Sequence, residues 1–140
     1  MHPGEQDLLT FRAVTARLAL VPVKPAHRAE IFREFTAEVT VYMSPRVPRD
    51  LGDVDQFIRE SRENMAKGEE IVCAVLERGS GELAGMAGLH KVHTTAPQLG
   101  LWMKRSVHGR GYGREAMAAL KAWADEHLAY EYIVYPVAAA

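Results

Sequence analysis

Residues 103–123 read "MKRSVHGRGYGREAMAALKAW". Three glycines at alternate positions, Gly109, Gly111 and Gly113, stand among Lys104, Arg105, Arg110 and Arg114, with His108 beside them and no acidic residue between 104 and 114. An apolar-periodic helix follows over 111–128, with Ala116, Met117, Leu120, Trp123 and Ala124 facing inward. A helix N-terminus carries unpaired N–H groups and a partial positive charge, and glycines let a ligand approach the backbone closely. The stretch therefore reads as an anion cradle suited to phosphate. The plain alternative is a glycine-rich strand-to-helix turn with solvated cations. Spacing excludes two phosphate loops. A dinucleotide fingerprint fails because Arg114 or Ala116 stands where its last glycine belongs, and a P-loop fails for want of its Gly-Lys-Ser/Thr ending.

Outward from this stretch the chain alternates strand and helix signals. "TARLALVPV" (15–23) predicts a strand, and Pro25 opens a helix whose apolar face is Ile31, Phe32 and Phe35. "DVDQFIRESRENMAKG" predicts a second helix with Asp53 as N-cap, a stripe of Val54, Phe57, Ile58, Ser61 and Met65, and Gly68 as its stop. "YMSPRVPRDLG" reads as loop. "EIVCAVLE" and "ELAGMAGLHKV" flank the turn "RGSG" as a hairpin, "PQLGLWM" is the next strand, and "YEYIVYPVA" reads as a buried terminal strand. This is one α/β domain spanning 1–140 with a mixed sheet.

With 17 basic and 18 acidic side chains the net charge is −1, so no whole-molecule field draws the chain to nucleic acid or to an anionic membrane. Cys73 is the single cysteine and reads as a small core residue. The N-terminus has no apolar targeting region and no run is long enough for a membrane span, which predicts a cytoplasmic protein.

The segment His108-Gly109-Arg110-Gly111-Tyr112-Gly113 resembles the pyrophosphate loop, Gln/Arg-x-x-Gly-x-Gly/Ala, of the GCN5-related N-acetyltransferase superfamily. "TARLALVPVKPAHRAEIF", "LAGMAGLHKV" and "QLGLWMKRSVHGRGYGREAMAALKAWADEHL" are similar to the corresponding blocks of its RimJ/RimL-type branch, so the resemblance covers most of the chain. It implies an α+β fold with a mostly antiparallel central sheet and helices on both faces, shortened at the C-terminus relative to the family. It implies acetyl-CoA as cosubstrate: the backbone of Gly109 to Gly113 on the pyrophosphate with His108, Tyr112 and Arg114 around it, and Trp102, Met103 and Lys104 along the pantetheine arm. Trp102 by itself reads first as core.

The branch often carries a glutamate before its fourth strand's "Ile-Gly-Tyr-Trp"; here Gln98 stands before "LGLW", able to orient a water but not to act as a base. The family's cofactor asparagine has no counterpart, since Asn64 lies far upstream. His90 is a stand-in general base because imidazole titrates near neutrality, against the plainer reading of a hydrogen-bonded surface histidine. His90 and His93, three apart on a strand, face opposite ways and do not share a metal; none is expected. Tyr130, Tyr132 and Tyr135 read as packing residues, one of which is a candidate proton donor to a thiolate. Glu34, Glu38, Asp50 and Asp53 are candidate attractors of a cationic acceptor, with a solvated surface the simpler reading.

The expected activity is transfer of acetyl from acetyl-CoA to a primary amine, a protein N-terminus or a small amine, by direct attack. Two alternatives are a catalytically silent acyl-CoA-binding module and a nucleotide-binding regulator. The terminal strand, with Ile133, Val134 and Val137 at a sheet edge blocked only by Pro136, predicts a homodimer.

Overall fold

The computed structural model describes residues 7–35 and 48–134. Among them five strands form one antiparallel sheet whose spatial order repeats the chain order: β1 (Ala13–Val14), β2 (Leu18–Pro22), β3 (Ile71–Glu77), β4 (Leu83–His90) and β5 (Gln98–Met103). Helix α1 (Arg28–Glu34) and helix α2 (Leu51–Ala66) separate β2 from β3, and helix α3 (Tyr112–His127) follows β5. The only parallel contact among the described residues is a single bridge from Gln98 to Val134.

Side chains alternate across the sheet and divide it between the helices. Cys73, Ala87 and Leu101 are cross-strand partners, as are Val75, Gly85 and Met103, and these rows face α3. The rows Ala74–Met86–Trp102 and Val72–Gly88–Gly100 face the other way, where Trp102 stacks on Phe35 at 4.7 Å just past α1. Leu18, Leu20, Ile71, Leu89, Leu99 and Leu120 are fully buried between the layers, each stabilising the fold by about 1.5–3 kcal/mol. Cys73 is buried, and burial raises its thiol well above the ordinary range, as suits a core residue.

The sequence places most elements correctly and misplaces three features: the cap of α2, Phe57 and the terminal strand. The first helix opens at Pro25 as a 3₁₀ turn, Pro25–His27, before α1 proper. Asp53 is not the cap of α2: Asp50 is, its carboxylate accepting the Asp53 N–H at 2.9 Å, while Asp53 sits a turn inside and accepts the Arg49 N–H at 2.9 Å. Either aspartate suits a cap by residue type, and this reciprocal arrangement satisfies two N–H groups where a cap at Asp53 would satisfy one. Phe57, assigned to the inward stripe, is 40% exposed, whereas Val54, Ile58, Ser61 and Met65 are buried. The strand expected over 130–138 is only the bridge at Val134 as far as the described residues reach, with Tyr132 and Val134 exposed; Tyr135, Pro136 and Val137 lie outside them.

Two features of β4 shape its pairing with β3 on one side and β5 on the other. Ala84 is an extra residue in β4, a bulge between the Val75–Gly85 and Leu76–Leu83 pairs. Beside it Gly85 lies so near β5 that an added Cβ would stand 2.1 Å from the Trp102 carbonyl oxygen and 2.8 Å from the Met103 Cα. Both obstacles are backbone. Gly85→Ala should therefore push β5 outward and lower stability by about 3 kcal/mol, read as an earlier urea midpoint; a midpoint equal to that of the parent chain would show that the strands are less tightly apposed.

Candidate active site

The glycine loop lies where β5 gives way to α3. After β5 the chain makes a 3₁₀ turn, Arg105–Val107, and reaches α3 through Gly109 (φ 84°) and Gly111 (φ 80°), left-handed positions that only glycine adopts without strain. Gly111 is the N-cap of α3 and has no side chain to offer, and the first helical bond runs from the Glu115 N–H to the Gly111 carbonyl. The N–H groups of Tyr112, Gly113 and Arg114 consequently have no partner among the described residues. Gly113 serves a different end: a Cβ there would be 3.2 Å from the Leu101 Cδ1, so its absence lets the helix start lie directly on β5.

The surroundings of the loop are more ordered than its basic composition implies. Arg17, ahead of β2, donates to the Arg110 carbonyl at 2.8 Å, pairs with Glu115 at 2.7 Å and lies 4.7 Å from the centre of the Tyr112 ring. Tyr112 is buried and donates its hydroxyl to Glu77 at 2.9 Å. His108 turns back and donates Nε2–H to the Met103 carbonyl at 2.7 Å. Lys104 is buried with its ammonium 3.8 Å from Glu82, and Arg110 lies 3.8 Å from Glu77. Of the side chains assigned to the cofactor, Arg114 is exposed on the first turn of α3, while Lys104, His108 and Tyr112 chiefly brace the loop. Arg17 and Glu115 escaped the sequence reading because their partners are about a hundred positions away.

The free edge of β5 leads away from the loop. The Leu99 N–H points outward and donates to the Val134 carbonyl at 2.8 Å, so by alternation the N–H and C=O groups of Leu101 and the N–H of Met103 share that outer edge. No described residue takes the Leu101 pair or the Met103 N–H. Trp102 carries its indole to the opposite face, in the core, as its residue type suggested.

At the far end of β5 lies His90, cross-strand partner of Gln98. Its ring lies over two glycines that face each other across the strands: a Cβ would come within 3.1 Å of Nε2 at Gly88 and 3.6 Å at Gly100. His90 Nδ1 meets Glu70 Oε1 at 2.7 Å, and the other Glu70 oxygen accepts from Asn64 Nδ2 at 3.1 Å. His93 is not on the strand, because β4 ends at His90 and Lys91 turns the chain with φ 56°. Among the described residues no three His, Cys, Asp or Glu side chains converge as a metal site would need.

Burial raises the Glu70 carboxyl, but hydrogen bonds from His90 and Asn64 together with the His90 charge outweigh it and hold the group below its ordinary value of 4.5. A depressed carboxylate stabilises the fold above 4.5, and that contribution is lost as pH falls below 4.5 through the folded value. Glu70→Gln should lower the urea midpoint at neutral pH, and the gap from the parent chain should close in acid. A gap constant with pH would contradict the assignment.

The other candidates are placed plainly. Glu34 pairs with Arg33, Asp50 caps α2, and Glu38 lies outside the described residues. Tyr130 donates to Asp125 and Tyr132 is exposed. A groove of about 650 Å³ lined by Pro25, Asp55, Ile58, Arg59, Arg62, Glu63 and Ala66 involves neither the loop nor β5. Among the described residues no helix is long and apolar enough to cross a membrane.

Comparison with known proteins places this geometry in a family. A protein of Vibrio cholerae described as a ribosomal-protein-serine acetyltransferase is 27% identical and superposes with a TM-score of 0.73 over 84% of this chain and 68% of that one. RimL, a ribosomal-protein α-N-acetyltransferase solved with coenzyme A, is 15% identical with a TM-score of 0.73, covering 86% of this chain and 72% of that one. The microcin C7 self-immunity acetyltransferase MccE, solved with acetyl-CoA and AMP, is 15% identical with a TM-score of 0.73, covering 90% and 74%. Other structures of the same fold are spanned less fully, to 60% of a Brucella melitensis N-acetyltransferase. No curated protein sequence is significantly similar to the chain. The sequence matches the family described as "Acetyltransferase (GNAT) domain" over residues 17–140, nearly its whole length, and the chain belongs to that family of GCN5-related N-acetyltransferases, with ribosomal-protein acetyltransferases of the RimL kind among its structural neighbours.

Proposed function

We propose that the protein transfers the acetyl group of acetyl-CoA to a primary amine, a protein N-terminus or a small amine, by direct attack, with His90 as general base and Gln98 orienting a water beside it. The observation that carries the reading is the alignment along β5. An uncapped helix start lies at one end, an edge of main-chain groups unpaired among the described residues runs between, and an imidazole supported by a carboxylate lies at the other. The free N–H groups of Tyr112, Gly113 and Arg114 suit a pyrophosphate, with Arg114 as a screened charge and Gly109, Gly111 and Arg110 shaping the turn. The outer edge of Leu101 and Met103 suits the amides of a pantetheine arm, much as a strand edge receives a peptide. Acetyl-CoA supplies the activated thioester.

In this scheme His90 Nε2 takes one proton from the incoming ammonium. The neutral nitrogen attacks the carbonyl carbon, an outward N–H of β5 donates to the oxygen that gains charge, the C–N bond forms and the C–S bond breaks. The second proton shed by nitrogen goes to the departing thiolate. A homodimer belongs to the same proposal, supported by the exposure of Tyr132 and Val134 beside the sheet edge; sedimentation of the intact chain reads it.

Labelled acetyl transfer across peptide N-termini and polyamines, run beside calorimetry with CoA, tests the activity. Binding with turnover on an amine supports it. Binding without turnover on every amine leaves a silent CoA-binding module, and absence of binding overturns the reading of the loop.

A further inference from the structure

The groove beside α2 and the exposed Phe32 and Phe57 lie outside the scheme above, and the hydrogen-bonded series Asn64–Glu70–His90 enters it only through the ring. The series leads furthest. Its members come from three places, the last turn of α2, the residue before β3 and the end of β4, and it ends on a nitrogen that no described residue engages. Glu70 accepts on both oxygens, from Asn64 Nδ2 at 3.1 Å and from the His90 ring at 2.7 Å, and its side chain is only 16% exposed. A carboxylate accepts only, so the shared hydrogen is on His90 Nδ1. A neutral ring so held carries its lone pair on Nε2, across Gly88 and Gly100.

The glycines make the same point independently. Two glycines opposite each other within a sheet weaken it, since neither packs and both lose much chain entropy. Here they clear the floor beneath the ring. A side chain at 88 would stand 3.1 Å from Nε2 and 2.9 Å from the Ile71 carbonyl oxygen. A surface histidine in an incidental ion pair needs no such clearance.

We propose that Glu70, itself held by Asn64, is the positioning residue that fixes His90 as the Nδ1–H tautomer and so leaves Nε2 as the proton acceptor of acetyl transfer. The assignment rests on the acetyltransferase reading for its chemistry and on the geometry alone for the tautomer. Glu70 touches no substrate and acts through the ring. An amide at 70 can present its NH₂ to Nδ1, reversing the tautomer. Around the ring the preceding segment of β3 brings Glu70, α2 brings the neutral Asn64, β5 brings the neutral Gln98, and β4 continues into Lys91. Loss of the Glu70 carboxylate therefore removes the one acidic partner in contact with the ring and the acceptor that holds the proton on Nδ1.

The test has one arm that needs no turnover. In the intact chain with ¹⁵N-labelled histidine, two-bond ¹⁵N–¹H spectra above the ring's titration should show His90 protonated on Nδ1. The same ring in Glu70→Gln should shift toward Nε2–H, and in Asn64→Ala should show a mixture. With an amine that the wild type acetylates, Glu70→Gln should lower kcat at least roughly tenfold with little change in KM, and Glu70→Asp should recover part of the loss. An Nε2–H ring in the wild type overturns the proposal whether or not the chain is active. So does a Glu70→Gln protein whose ring keeps its proton on Nδ1, or whose kcat equals that of the wild type. If no amine is acetylated, the acetyltransferase reading fails while the tautomer measurement still decides the role of Glu70.

Discussion

His90→Gln should lower kcat by roughly 100-fold, about 2.7 kcal/mol of barrier, and leave CoA affinity unchanged. Glutamine spans a similar length and retains a hydrogen bond toward Glu70, so the sheet keeps its shape, but it offers no nitrogen that can take up a proton. CoA affinity is spared because His90 is at the end of β4 paired with Gln98, whereas the glycine loop follows Met103 at the other end of β5. Steady-state kinetics and calorimetry on one preparation check both halves. Undiminished kcat would reassign the proton transfer to water held by Gln98, and weakened binding would mean that the ring contacts the cofactor.

Gly111→Val should remove measurable CoA binding with little loss of helix α3. At φ 80° a side chain strains the backbone by about 1–2 kcal/mol, more with a branched Cβ, and the added atom would stand 3.5 Å from Arg17 Nη2. The chain can relieve this by turning the residue out of the left-handed region, which swings the free N–H groups of the first helical turn off their common direction. The rest of α3 is anchored by Ala116, Leu120 and Ala124 in the core and should persist. Calorimetry with CoA beside circular dichroism and a thermal melt reads the outcome; full affinity in a folded Gly111→Val protein would detach the loop from anion binding.

What could be read from the sequence was what is written locally. The glycine-rich start of α3 and the greater part of its inward stripe depend on neighbours within a turn or two, and both are found, with Ala116, Leu120 and Ala124 buried. The destinations of charged side chains depend on what tertiary structure brings near. Nothing near Lys104 in the chain announces that Glu82 will face it in a buried setting, and nothing near Arg110 announces that Arg17 will hold its carbonyl. Asp50 and Asp53 are equivalent as caps by type and separate only once the chain is bent. His90 was a candidate for its chemistry alone, and the support from Glu70 arises from the pairing of β3 with β4, which brings residues twenty apart into contact.

Because strand order repeats chain order from β3 through β5, the imidazole and the cradle are assembled from one continuous stretch, Asn64 to Arg114, whose strands are joined by short connections. Early folding favours contacts of small sequence separation, so this stretch is suited to organise before β1 and β2 dock across the long α1–α2 excursion. Arg17 arrives with the late part, carrying its bonds to the Arg110 carbonyl and to Glu115. The stretch that carries His90 and the glycine loop is thus suited to form first and be latched afterwards, so a chain paused before docking would already pair His90 with Glu70 while the loop still lacked the hold of Arg17.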